Sequence, residues 1–120
     1  MKRDMELIRL VLIHYETGAS SPELEERSKS EIIYNCVLMK DAGLIDAHFI
    51  EGNGVLPDEI INVRLTWAGH DFLDATRDDK IWNMAKEKFI KPGVSWTFSL
   101  LGEWLKQEAH RQIFGITPDK

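Results

Sequence analysis

Apolar residues recur at helical spacing close to the N terminus, at Met5, Ile8, Leu12 and Tyr15. Steps of three and four residues place these side chains on one face of a helix. The pattern therefore predicts a helix over residues 4–16 that buries this one face.

Two helix starts follow in close succession. Ser21 and Pro22 form an N-cap followed by proline at the first helical position, where the missing N–H has no intrahelical partner to lose. Ser28 and Glu31 have the spacing of a capping box, in which each residue satisfies a free backbone N–H of the other. Two helices joined by a tight turn make a helix-turn-helix. The predicted helices span 22–27 and 29–42, and Gly43 ends the second.

The pattern changes after Gly43 from helical spacing to strand spacing. Residues 44–50 are largely apolar, and residues 60–65 alternate as a half-buried strand does. The connection over 51–59 includes Pro57 and is longer than a tight hairpin turn, which is typical of a wing.

Three more helices complete the predicted order, the first capped by Thr66 and the last by Ser95. The predicted fold class is α+β: a winged helix-turn-helix, with three helices and a two-stranded wing, followed by a helical C-terminal extension. Core and extension, at 1–77 and 78–120, are expected to form one domain. The last three helices are predicted over 67–77, 80–90 and 96–112. The residues predicted to share one core are Ile8, Leu12, Leu24, Ile33, Val37, Leu44, Leu65 and Phe72.

Three stretches of the chain carry a resemblance to a known family. MKRDM at 1–5, KDAGLI at 40–45 and LTWAGHDFLD at 65–74 resemble the bacterial and phage family called domain of unknown function 2513. The resemblance covers most of the chain and is most specific over 65–79. It implies a bacterial or phage source and supports the fold, but it carries no activity.

A wider resemblance is to winged-helix transcription regulators of the multiple-antibiotic-resistance type. In those proteins an Ala-Gly-Leu-Ile segment ends the recognition helix, and Leu-Thr-x-x-Gly follows the wing. Residues 42–45 and 65–69 match these two motifs. Both motifs are structural, so they indicate a fold and leave the function open.

The net charge of −5 is unevenly distributed along the chain. Residues 20–43 carry five acidic and three basic side chains, a net of −2, and residues 44–66 carry four and one, a net of −3. The segments 1–19 and 67–120 are balanced. The excess negative charge therefore lies in the predicted helix-turn-helix and wing.

One interpretation of the helix-turn-helix is that it binds DNA through its second helix. Tyr34 and Asn35 would then contact base edges, because an asparagine amide pairs well with adenine. The tentative DNA- or partner-binding residues are Lys29, Ser30, Tyr34, Asn35 and Arg64. Phosphate contacts from Lys and Arg dominate nucleic-acid affinity, so the acidic balance of this region disfavours the interpretation.

The alternative is a regulatory or protein-interaction adaptor whose acidic surface suits a basic protein partner. Two further alternatives are that the protein self-associates, or that the acidic surface is simply solvated and binds no partner. Four tryptophans, at positions 67, 82, 96 and 104, would either pack in the core or form an interface, where Trp is enriched.

No catalytic constellation is evident in the sequence. His70 and Asp74 lie four residues apart, but two ligands are too few for a metal site. We therefore expect a protein that is not an enzyme, with no metal, cofactor or small-molecule ligand. Cys36 is the single cysteine and the N-terminal apolar run at 10–13 is too short for a membrane span, so we expect a cytoplasmic protein.

Overall fold

The computed structural model describes residues 3–92 and 98–115. Over these residues the chain is α+β, with six α-helices and one two-stranded antiparallel sheet. A π-helical turn, Lys86–Ile90, directly continues α5. The elements are α1 (Met5–Thr17), α2 (Pro22–Glu25), α3 (Lys29–Asp41), β1 (Ile45–Ile50), β2 (Glu59–Leu65), α4 (Trp67–Thr76), α5 (Asp79–Ala85) and α6 (Phe98–Phe114).

The chain divides into two compact units, which we call unit 1 (Met1–Leu73) and unit 2 (Asp74–Lys120). The division falls inside α4, before the predicted boundary at residue 77. The predicted cap at Ser95 and the packing of Trp96 lie outside the described residues. No helix in the described part of the chain is long and apolar enough to span a membrane.

The predicted helix starts of unit 1 are confirmed. The Ser21 hydroxyl accepts a hydrogen bond from the Leu24 N–H at 3.1 Å, and Pro22 occupies the first turn of α2. Ser28 and Glu31 form the capping box of α3, each side chain accepting from the other's backbone N–H. Hydrogen bonds between these capping side chains and the free backbone N–H groups therefore fix where both helices begin.

The sheet pairs Ile45 with Leu65 at one end and Ile50 with Glu59 at the other. The register shifts between Asp46 and His48, which indicates a β-bulge. The strands are joined by residues 51–58, which we call the β1–β2 loop.

The core of unit 1 lies where α1 packs against α3 and β2, and where α3 packs against β1. Seven of the eight predicted core residues are buried, from Ile8 to Phe72, and Val37 is half-buried. Val37 lies at the edge of the buried face because Cys36 and Met39 occupy its centre.

The four tryptophans do not share one environment. Trp82 is buried in unit 2, where α5 packs against α6, whereas Trp67 at the start of α4 is 84% exposed. Trp104 on α6 is half-buried. Core packing therefore accounts for Trp82 but not for Trp67.

The Leu-Thr-x-x-Gly motif has a structural reason. The Thr66 hydroxyl accepts from the Gly69 N–H at 3.0 Å and donates to the Gly43 carbonyl, which ties the start of α4 to the end of α3. A Cβ at Gly69 would lie 2.0 Å from the Leu44 carbonyl oxygen. Only glycine permits this approach of α4 to the backbone before β1.

We predict that Gly69→Ala lowers the free energy of unfolding by at least about 2 kcal/mol, because the added methyl overlaps backbone. Gly102→Ala is the control: its Cβ would meet nothing within 4 Å, so better helix propensity should raise stability by about 0.5–1 kcal/mol. Denaturant unfolding followed by circular dichroism measures both. Unchanged stability of Gly69→Ala would contradict the close approach.

Candidate functional site

Unit 1 carries a groove between the first half of α3 and the β1–β2 loop. It consists of two adjoining cavities of about 450 and 510 Å³, which share Ser30, Leu56, Pro57 and Asp58 as lining residues. We call it the α3–loop groove. Its further lining residues are Lys29, Ile33 and Tyr34 on α3 and Gly54, Val55 and Glu59 on or next to the loop.

The loop presents apolar side chains beside the polar start of α3. The Asp58 N–H donates to the Ile50 carbonyl at 2.8 Å, which closes the loop at its base. Val55 lies near the loop's tip and is fully exposed, while Leu56 and Pro57 are half-buried. A valine this exposed contributes nothing to the packing of unit 1.

Three of the five predicted binding residues meet at this groove. Lys29, Ser30 and Tyr34 all line it, whereas Arg64 lies on β2 and is not among the lining residues. The missed contributors are the loop residues, since Val55 and Leu56 follow no periodic pattern from which a groove wall could be predicted.

The prediction that Asn35 faces outward is wrong. Asn35 is 2% exposed, its Oδ1 accepts from the Asp4 N–H at 2.9 Å, and its Nδ2 donates to the Glu31 carbonyl at 3.0 Å. Helical spacing contained the signal: Ile32, Asn35, Cys36 and Met39 follow the i, i+3, i+4, i+7 pattern of one face. The side chain joins α3 to the start of α1 and is not available to a partner.

Three basic residues of the helix-turn-helix and β2 are each paired with a carboxylate. Lys29 forms an ion pair with Glu59 across the groove, and Arg64 pairs with Asp46 at 2.7 Å. Arg27 pairs with Asp4 at 2.8 Å. Among the described Lys and Arg side chains of residues 27–64, only Lys40 lacks a carboxylate partner.

Asp4 links the N-cap of α1 to the helix-turn-helix. Burial raises the pKa of its carboxyl, but hydrogen bonds from the Leu7 N–H and the Arg27 guanidinium outweigh this, so the pKa lies below its ordinary value of 3.8. Asp4 is therefore a carboxylate at neutral pH, held between a helix terminus and an arginine.

The remaining candidates for chemistry are held in structural roles. Burial raises the pKa of the Cys36 thiol to about 12, so the sulfur is not a nucleophile at neutral pH. His70 Nδ1 lies 3.4 Å from Glu16 Oε2, and Asp74 pairs with Arg77 at 2.8 Å, so the two side chains have different partners. Over residues 3–92 and 98–115, no group of three His, Cys, Asp or Glu residues could hold a metal ion.

Comparison with known proteins identifies a family. The family model described as a hypothetical protein, DUF2513, matches residues 2–95, which confirms the resemblance seen in the sequence. An uncharacterized protein of Haemophilus influenzae is 36% identical over 92 residues, a match that covers 72% of this chain and 76% of that protein. No solved structure matches the chain. The family match includes the α3–loop groove and ends before α6.

We predict that Asn35→Ala lowers the free energy of unfolding by about 1–3 kcal/mol, because the Asp4 N–H loses its acceptor in a part-buried site. Ser30→Ala, an exposed position on the same helix, should stay within about 0.5 kcal/mol of the parent. Denaturant unfolding of the two variants checks this. Equal effects would contradict a structural role for Asn35.

We predict that Asp4→Asn changes stability in a pH-dependent way. Asparagine still caps α1 but loses the charge that pairs with Arg27, a part-exposed pair worth less than about 1 kcal/mol. Because the folded pKa is depressed, the carboxylate's contribution is present above the ordinary value of 3.8 and disappears as the pH falls through the folded pKa.

The measurement is the free energy of unfolding of Asp4→Asn and the parent protein from pH 7 down to pH 2. The difference should shrink with acid and should be smaller in an Arg27→Gln background, as in a double-mutant cycle. A difference that is constant with pH would contradict the pairing.

Proposed function

The chain belongs to the DUF2513 family, and from that premise we propose that it is a non-catalytic, regulatory or adaptor protein of winged-helix type. In this proposal it binds a protein partner of basic character through the α3–loop groove. The single observation that carries the proposal is the groove itself. It has an apolar wall, and the lysine on its rim, Lys29, is paired with Glu59.

The winged-helix assignment is supported by the order of elements in unit 1. Three helices precede a two-stranded antiparallel sheet, and a further helix follows it. In this interpretation α2 and α3 are the helix-turn-helix, and the β1–β2 loop is the wing. The groove then lies between the recognition helix and the wing, on the face with which such domains meet their partners.

Protein binding is supported by the chemistry of the groove. Protein interfaces combine an apolar centre with a polar rim. Val55, Leu56 and Pro57 supply apolar surface, and Asp58 supplies negative charge beside it, whereas Glu59 is paired with Lys29. A partner that presents an apolar side chain flanked by Lys or Arg complements both features, and long-range attraction to residues 20–66 would speed its association.

DNA binding is the second candidate, and one observation favours it. Ser30 and Tyr34 lie on the outward side of the first half of α3, the part of a recognition helix that enters the major groove. Against this, Lys29, Arg27 and Arg64 are each paired with a carboxylate. Phosphate could displace such weak pairs, but the released acids would remain beside it and repel it.

The proposal that the protein is not an enzyme rests on the positions of its reactive groups. The thiol of Cys36 is buried and protonated, and the ring of His70 lies against Glu16. Neither group lines the α3–loop groove.

We predict that peptides selected on the folded protein from a random library carry Lys or Arg beside an apolar residue. A selected peptide should lose at least about tenfold in affinity on Val55→Gln, since a groove-wall side chain is worth at least about 1.4 kcal/mol. Ile113→Gln, an exposed apolar position on α6, is the matched control. Isothermal titration calorimetry measures the peptide affinity of both variants. An equal loss of affinity in the two would show that the groove is not the binding site.

DNA binding is tested on the same preparation with random duplex and genomic fragments over a range of salt concentrations. We expect binding weaker than the usual non-specific range of about 10⁻⁴–10⁻⁶ M. Submicromolar binding with a steep salt dependence, weakened by Lys29→Ala or Arg64→Ala, would overturn the adaptor proposal in favour of the transcription regulator.

A further inference from the structure

Unit 2 contains a second cleft, independent of the α3–loop groove. It lies between α5, with its π-helical continuation, and α6, and has a volume of about 850 Å³. This is within the range of small-molecule sites, about 300–1,000 Å³. The residues that matter for its chemistry are Lys80, Asn83, Met84, Lys88, Trp104 and Glu108.

The wall formed by α5 is distorted at the cleft. The Lys91 N–H donates to the Lys86 carbonyl at 2.9 Å, a bond that spans five residues and defines the π-helical turn. Such turns are rare and occur frequently at functional sites. Lys88 lies within this turn and lines the cleft.

Trp104 and Met84 give the cleft an apolar surface. Trp104 is half-buried and packs edge-to-face against Phe89, with ring centroids 5.6 Å apart, so its indole is held in place. Met84 is also half-buried. A flat ring fits against an indole and a thioether, both of which make favourable contacts with aromatic groups.

The carboxylates of the cleft are satisfied by residues of their own helices. Glu87 pairs with Lys91 at 2.6 Å. Hydrogen bonds from Arg111 and from Gln112, the latter at 2.9 Å, hold the pKa of Glu108 below its ordinary value despite burial, and the charge of Lys80 adds to this.

The ammonium groups of Lys80 and Lys88, which both line the cleft, are available to a ligand. Within residues 3–92 and 98–115, neither Lys80 nor Lys88 forms an ion pair with a carboxylate, although Lys80 is close enough to Glu108 to affect its titration. Asn83 adds an exposed amide between them in sequence. The cleft thus combines unpaired positive charge with a fixed aromatic surface.

We propose that the α5–α6 cleft binds a small organic anion that carries a flat apolar ring. The acid group lies between Lys80 and Lys88, and the ring lies against Trp104 and Met84. Charge-assisted hydrogen bonds from the two lysines select the anion over a neutral analogue, and the aromatic contact selects a ring over a simple inorganic ion.

The test uses 2-naphthoate as the probe and follows the tryptophan indole N–H signals of the folded full chain by NMR. We expect saturable binding at micromolar to millimolar concentration that shifts the Trp104 signal, assigned by its loss in Trp104→Phe. Lys80→Gln combined with Lys88→Gln should weaken the affinity at least tenfold, because both charged donors are lost. Lys106→Gln, an exposed lysine of α6 that does not line the cleft, should leave it unchanged.

Two ligand controls accompany the variants. The neutral analogue 2-naphthylmethanol should bind at least tenfold more weakly than the acid, and inorganic phosphate should not shift the Trp104 signal at the same concentrations. Equal binding of acid and alcohol, an equal loss with Lys106→Gln, or no saturable shift with 2-naphthoate would overturn the proposal. None of these outcomes depends on what the α3–loop groove binds.

Discussion

The hydrogen bonds of the Asn35 side chain decide which residues α3 presents at its surface. The amide accepts from the Asp4 N–H and donates to the Glu31 carbonyl, so it joins the start of α1 to α3 inside unit 1. Rotation of α3 would separate Asn35 Oδ1 from the Asp4 N–H and leave both without their partner, which is costly in a low-dielectric interior. Ser30 and Tyr34 are therefore held on the groove side by a residue that does not line the groove.

The same network restricts the chemistry of the groove region. Arg27 donates to Asp4, and Asp4 in turn caps α1, so this arginine is part of the fold. Lys29 and Arg64 pair with acids that lie 30 and 18 residues away in sequence. Each exposed pair is worth little by itself, but together they leave this face with few cations ready for an anionic partner.

Local signals in the sequence predicted the helices of unit 1 well, because caps and stops act within a few residues. Ser21, Ser28 and Gly43 mark boundaries that the structure shares to within two residues. Asn35 was misplaced because its pairing chemistry with adenine was given more weight than its position in the buried stripe. The ion pairs could not be predicted, since they join residues brought together only by the fold.

The π-helical turn is a further feature without a sequence signal. Lys86 to Ile90 contain neither proline nor glycine, and nothing in their pattern differs from an ordinary amphipathic helix. The composition of the α5–α6 cleft was visible, but its geometry was not, because it depends on the contact between α5 and α6. The sequence therefore indicated a binding surface in unit 1, and for unit 2 only the open alternative that its tryptophans form an interface.

The two clefts show that formal charge and available charge are different quantities. Residues 67–120 carry eight acids and eight bases and look neutral. Yet Glu87 and Glu108 are neutralised by partners three or four residues along their own helices, a pairing that helix geometry favours. Among the described residues, Lys80 and Lys88 form no ion pair with a carboxylate. A segment with balanced formal charge therefore presents a positively charged site. The summed charge of a segment governs long-range steering, whereas the pairing pattern determines the sign of the ligand that a cleft can hold.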